Sequence, residues 1–305
     1  MFTRHGGIPL LILIGAVAML VPAGSASAAP AFPVTVHAAD GAVRITARPT
    51  AIVSLSPTAT EMLYAIGAGS QVKAVDLNSD YPAGVPRSQL DGNNPNVEAI
   101  AAYKPDLVVA SDEATNVDRQ LRVLGIPVVS EPAAANLSQE YAQFDELGQV
   151  TGHEAQARAE VGKIKRQIAH IIASVHKPSR PETYYYELDQ TYYSAASSTF
   201  IGQVLGLLGL RSIADAAKGT AANGGYPQLS GEFILKANPD YILLADTICC
   251  GQSVATVAGR PGWSGLAAVK GGRVLGVNDD IASRWGPRVV DLLSEVAAEL
   301  RAHPS

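Results

Sequence analysis

Residues 96–110, NVEAIAAYKPDLVVA, and residues 230–245, SGEFILKANPDYILLA, follow one plan: a cap residue, a short helix with glutamate in its first turn, Pro-Asp, and an apolar run. At a constant offset of 134 residues Glu98 meets Glu232, Ile100 meets Ile234, and Pro105-Asp106 meets Pro239-Asp240. Asn96 and Ser230 carry the side-chain oxygens that satisfy unpaired amides at a helix start. The prolines stop the helices, and the unbroken apolar runs that follow read as strands covered on both faces. Two such copies make two related half-proteins, and two halves side by side leave a cleft between them.

Outward from these copies the chain alternates strand and helix. Ala51–Leu55 reads as a strand, followed by a helix in which Thr58 and Glu61 have capping-box spacing, ended by Gly67. Strands at Val72–Val75, Leu107–Val109 and Ile126–Val129 and helices at Asn96–Tyr103 and Val117–Leu124 complete a first half. The second half repeats the pattern with Thr183–Leu188, a polar and aromatic loop, a helix over Phe200–Leu208, the strands Tyr241–Ala245 and Arg273–Val277, and a closing helix from Pro287 to Leu300. Between them, Val161, Ile164, Ile168, Ile171, Ile172 and Val175 recur at helical spacing after a second capping box at Thr151–Glu154. A helix from Glu154 to Val175 would be a rod of roughly 33 Å at ~1.5 Å per residue. The expected fold is α/β: two lobes with central, mainly parallel sheets flanked by helices and joined by one long backbone helix. The expected division is 1–28 leader, 29–148 N-terminal lobe, 149–177 bridging helix and 178–305 C-terminal lobe.

Residues 1–28 carry the marks of a cleavable secretory signal: Arg4 and His5, an apolar run over Ile8–Val21, and Ala26-Ser27-Ala28. No cysteine lies near that cleavage site, so no thioether lipid anchor is expected, and the mature chain is placed in the periplasm or outside the cell. About 275 residues remain, enough for two domains. A net charge of -5 with scattered Lys and Arg excludes the basic footprint of a nucleic-acid binder. The two cysteines, Cys249 and Cys250, are adjacent, so they form either a strained vicinal disulfide or a reduced pair in a loop.

Enzyme signatures are poor. There is no G-x-S-x-G, H-E-x-x-H or P-loop, and Gly67-Ala68-Gly69 follows a helix instead of joining a strand to one. The histidines of the mature chain, His37, His153, His170, His176 and His303, fall outside the predicted facing loops, so no metal site and no cofactor are expected. Those loops hold Ser56, Asn78, Tyr81 and Asn93 from the first half and Tyr193, Tyr226, Arg284 and Trp285 from the second. Flat rings with polar edges suit a large, semi-polar ligand held without covalent chemistry. A hydrolase would need a general base for Ser56 or Ser194, and no histidine partner offers itself. A sensor or scavenger built on the same binding fold is the remaining alternative.

Ile52–Glu61 with Gly67-Ala68-Gly69, Asn78–Pro82, Asn96–Val109 and Ser230–Leu243 together resemble the metal-chelate class of periplasmic substrate-binding proteins of ABC importers, which carries vitamin B12, ferric siderophores and haem. The resemblance covers about Thr50 to Leu300. It implies the class III, helical-backbone metal-receptor-like architecture, a monomer, and delivery of the ligand to an ABC permease and ATPase complex. Within the class, Asp76–Pro82, Tyr193 and Tyr226–Ser230 are most similar to the cobalamin-binding pattern. Three aromatic positions depart from it: Asn78 and Gly92 replace aromatic residues, and Tyr226 replaces a tryptophan. A corrinoid is the leading expected ligand, with a ferric siderophore or haem as the alternative. By position in that family, Glu98 and Glu232 are the carboxylates that dock onto permease arginines, and a carboxylate near a helix start is favoured there by the helix end.

Overall fold

The protein is described from a computed structural model covering residues 1–3, 32–38, 41–111, 115–176 and 180–303. Apart from Met1–Thr3, the expected leader lies outside the described residues. An antiparallel hairpin, β1 (Val34–Ala38) and β2 (Gly41–Ile45), precedes the first lobe. That lobe runs β3 (Ile52–Ser54), α1 (Pro57–Ala65), β4 (Val72–Val75), α2 (Val97–Ala101), β5 (Leu107–Ala110), α3 (Thr115–Val123) and β6 (Val128–Ser130). Two longer helices follow, α4 (Leu137–Thr151) and α5 (Glu154–Ala173). The second lobe begins with β7 (Glu182–Glu187), α6 (Phe200–Gly206), β8 (Leu210–Ser212), α7 (Gly231–Ala237) and β9 (Tyr241–Leu244). It closes with α8 (Thr247–Cys250), α9 (Val254–Ala258), α10 (Ala267–Lys270), β10 (Val274–Gly276), α11 (Asp279–Ser283) and α12 (Val289–Ala302).

The duplication is visible in the topology. The first sheet has the order β4-β3-β5-β6 and the second β8-β7-β9-β10, every pair parallel, so each lobe places its first strand between its second and third. Asp106 accepts hydrogen bonds from the Thr50 amide (2.8 Å), the Thr50 hydroxyl (2.9 Å) and the Ala51 amide (2.9 Å). Asp240 does the same for the Thr183 amide (2.8 Å) and hydroxyl (2.9 Å). In both lobes, then, the aspartate of Pro-Asp ties the start of the third strand to the start of the first.

Strand sequences without alternation are explained by burial on both faces. Ile52, Leu107 and Val109 face a core shared with α4 and α5, while Val53, Val108 and Val128 face a separate outer cluster. In the second sheet Tyr184 and Tyr186 join the shared core and Tyr185 turns to an outer cluster with Ile242 and Trp263. The run Tyr184-Tyr185-Tyr186 is therefore buried on alternating sides.

The 20-residue α5, roughly 30 Å long at ~1.5 Å per residue, connects the lobes. It packs against α4 on one side and α12 on the other. A Cβ at Gly148 would stand 2.7 Å from Ala157 Cβ, so glycine lets α4 and α5 approach closely. Neither α4 nor the hairpin is anticipated in the sequence reading, and Val36 and Ile45 of that hairpin share the core with Phe144 and Leu147.

Both expected capping boxes take another form. The cap of α1 is Ser56, which accepts from the Ala59 amide at 3.3 Å, leaving Glu61 free for other partners. Thr151 ends α4 instead of starting α5: its hydroxyl donates to the Leu147 carbonyl at 2.6 Å, and His153 precedes α5 without a side-chain cap.

Candidate functional site

The strands of the first lobe end on the cleft. Ser56 follows β3, Asp76–Asp80 follow β4, and Ser111 follows β5; α11 of the second lobe brings Asp280 and Ser283 and leads into Arg284 and Trp285. Together they enclose about 490 Å³. Ser56, Asn78, Asn93, Arg284 and Trp285 of the expected ligand residues line this space. An adjoining, more apolar recess of about 210 Å³ shares Ser283, Arg284 and Trp285 and is lined by Tyr226 and Phe200. Tyr81 and Tyr193 line neither. Tyr81 lies against the Arg288 guanidinium, 4.2 Å from the ring centroid, and Tyr193 stands 41% exposed in a loop paired with Gln228.

The cleft floor is held by charge crossing between lobes. Arg284 donates to Glu61 (3.0 Å), Asp80 (3.1 Å), the Asn78 carbonyl (3.1 Å) and Asp280 (2.7 Å). Arg288 grips Glu61 with Nε (2.8 Å) and Nη2 (2.5 Å). Glu61 is buried. Burial opposes the charge on Arg288, but the hydrogen bonds and field of Glu61 outweigh it and raise the guanidinium above its ordinary value. Trp285 adds a neutral link, donating to Gln143 Oε1 at 2.9 Å. Arg284, expected as a ligand contact, thus borders the cleft with both terminal nitrogens already engaged.

Asp76 also lines the cleft and accepts from the Ser79 amide at 2.9 Å; burial pushes its carboxyl up, with those hydrogen bonds opposing. Any side chain at Gly92 would collide with the Leu55 carbonyl oxygen, which accounts for the missing aromatic ring there. Glu61, Arg87, Ser111, Asp280 and Ser283 are site residues that the sequence reading does not assign to the cleft, whereas Asp76 and Asp80 enter it as part of the segment Asp76–Pro82. Asp280 and Ser283 lie within four residues of Arg284, so loop position could have found them; Glu61, expected only as a capping residue, had no such signal.

Among the described residues no cluster of three or more His, Cys, Asp or Glu could hold a metal ion. Glu98 and Glu232 are both exposed in the first turns of α2 and α7, with Asn96 and Ser230 as caps. Cys249 and Cys250 form a disulfide in the exposed turn α8, and Asp279 accepts from the amides of Thr247 (2.8 Å), Ile248 (3.0 Å) and Cys249 (2.7 Å) beneath it.

Residues 52–280 match the family described as periplasmic binding protein. The uncharacterized ABC transporter substrate-binding lipoprotein YvrC of Bacillus subtilis is 32% identical over 279 residues, 88% of this chain and 86% of the relative. A cobalamin-binding protein of Halobacterium salinarum is 30% identical over 94% of this chain and 82% of its own length. A possible iron-binding (periplasmic solute-binding) protein from Staphylococcus epidermidis superposes with a TM-score of 0.71 at 30% identity, covering 83% of this chain and 99% of that one. The chain belongs to the periplasmic binding protein family, whose members are non-catalytic transport components.

Proposed function

We propose that this chain is the extracytoplasmic binding component of an ABC importer and that it captures a corrinoid in the cleft between its lobes. The importer role and a metal-chelate ligand rest on the family and on the transporter, cobalamin and iron relatives. The finer choice rests on charge. Three aspartates, Asp76, Asp80 and Asp280, line the cleft with only two guanidiniums, Arg87 and Arg284. Arg284 is surrounded by carboxylates, and Arg87 donates to the Leu77 carbonyl. An anionic guest such as haem, with its propionates, or a catecholate siderophore would meet net negative charge, with Arg87, bonded only to a carbonyl, as the one cation among the described lining residues that is not paired to a carboxylate. A corrinoid presents amide side arms, which suit Ser56, Asn78 and Asn93, and an apolar macrocycle, which suits Trp285 and Tyr226.

The test is titration of the purified protein with cyanocobalamin, haemin and a ferric siderophore, followed by absorbance and calorimetry. One-to-one binding of cyanocobalamin at micromolar concentration or below, and weaker binding of the anionic chelates, is the expected result. Preference for haemin or the siderophore would replace the corrinoid, and binding of none would remove the chelate reading.

A further inference from the structure

We infer that the turn Thr247–Cys250, with Ile248 and the Cys249–Cys250 disulfide, is an apolar platform at the cleft rim that contacts the bound chelate. The inference rests on the proposed function and extends the ligand site to residues outside the cavity lining. Its first support is the internal duplication. Ser111 directly follows β5 and lines the cleft. At the offset of 134 that relates the lobes, its counterpart is Ala245, directly after β9. β5 and β9 hold the same place in their sheets, so the segment leaving β9 emerges onto the cleft from the opposite side.

The second support is chemical. Ile248 is 66% exposed, and Cys249 and Cys250 are exposed beside it. Exposure of a large aliphatic side chain leaves unfavourable contact with water that a ligand face would remove. A disulfide between neighbouring residues has no free thiol donor and presents two polarizable sulfurs, a surface suited to an apolar macrocycle more than to a charged group.

The third support is mechanical. Asp279 accepts from the Thr247 amide and hydroxyl and the Ile248 and Cys249 amides, holding the turn to the start of α11. The next residue, Asp280, and then Ser283 and Arg284, line the cleft. Platform and cleft wall are therefore one braced unit, and a surface that need not be ordered on binding loses less entropy.

Ile248→Asp and the double variant Cys249→Ser/Cys250→Ser test this, with Val123→Ser, an 82% exposed apolar site on α3, as the control. Cyanocobalamin, haemin and a ferric siderophore are titrated into each, and melting is recorded in parallel. The platform predicts that both variants melt like the parent yet bind the preferred chelate about tenfold more weakly, with V123S unchanged. Parent-like affinity in both variants overturns the platform while leaving the proposed function intact. Parent-like affinity with lost uptake also overturns it and reassigns the turn to the permease. A parent protein that binds none of the three chelates overturns both readings together.

Discussion

Glu140 is fully buried in α4, and neither of its carboxylate oxygens has a hydrogen-bond partner among the described residues. Burial pushes its pKa up from 4.5 to about 8. Between those two values the folded chain keeps a proton that the unfolded chain has lost, so stability falls as pH rises through this window and levels off above it. Glu140→Gln has no such titration. It should melt close to the parent near pH 5 and well above it at pH 9, a difference on the order of a few kcal/mol at ~1.4 kcal/mol per pKa unit. Parallel melting curves across that range would show that Glu140 is not the group responsible. This residue and Glu61 mark where sequence reading stops. Glu140 looks like an ordinary first-turn glutamate, and nothing local reveals that the fold buries it. Glu61 has the spacing of a capping box with Thr58, but its partners Arg284 and Arg288 lie 223 and 227 residues away. Only the closed arrangement of the lobes brings them together, whereas Ser56, Asn78 and Asn93 could be placed at the cleft because loops after parallel strands share one end of the sheet.

The Pro-Asp elements show which parts of the fold were legible and why. A motif that acts within its own lobe leaves a repeat in the sequence, and this one recurs because Asp106 and Asp240 perform the same task on equivalent strands. The strand positions followed from their apolar runs, and the tyrosines of β7 fitted once both faces were covered. The hairpin of β1 and β2 was missed because its short strands carry polar residues on the open face and resemble linker. The α4 helix was missed because Gly148 and a polar face weaken its pattern, though glycine there is what lets it pack on α5. Asp106→Ala and Asp240→Ala should each cost ~1–3 kcal/mol, the penalty for leaving strand-end amides unsatisfied. Lying in separate lobes, their effects should add. In Asp240, burial is outweighed by Arg180 and Thr183, which lower its pKa. Its contribution is present above the ordinary carboxylate range and is lost as pH falls through the depressed value. Both aspartates stand at the strand ends away from the cleft, so chelate affinity should not move. Denaturant unfolding of the two single variants and the double variant checks both statements, and a loss of ligand binding without loss of stability would contradict the assigned role.

At the scale of the whole molecule, the repeated half-proteins give the cleft and its flanks a common orientation. In a parallel unit the helix runs back against the strands, so the starts of α2 and α7 lie at the strand ends that border the cleft. Glu98 and Glu232 occupy those starts and are exposed. They therefore flank the cleft mouth at two pseudo-symmetric points, where a carboxylate at a helix start is favoured and remains open to a partner's cation. Two separated anionic contacts also set how the binding protein sits on its partner, because a single charge fixes position but not rotation. This placement supports the proposal that both carboxylates meet cationic groups of the permease while the ligand stays in the cleft. Because neither side chain lines the cavity, the double variant E98A/E232A should keep the chelate affinity and melting temperature of the parent and lose stimulation of the transporter ATPase or cellular uptake. Each single variant should lose only part of the coupling, and its difference from the parent should shrink at high salt, where screening weakens the contact that the substitution removes. Uptake equal to the parent in the double variant would end the docking role, and weakened chelate binding would move the two residues from the permease contact to the ligand site.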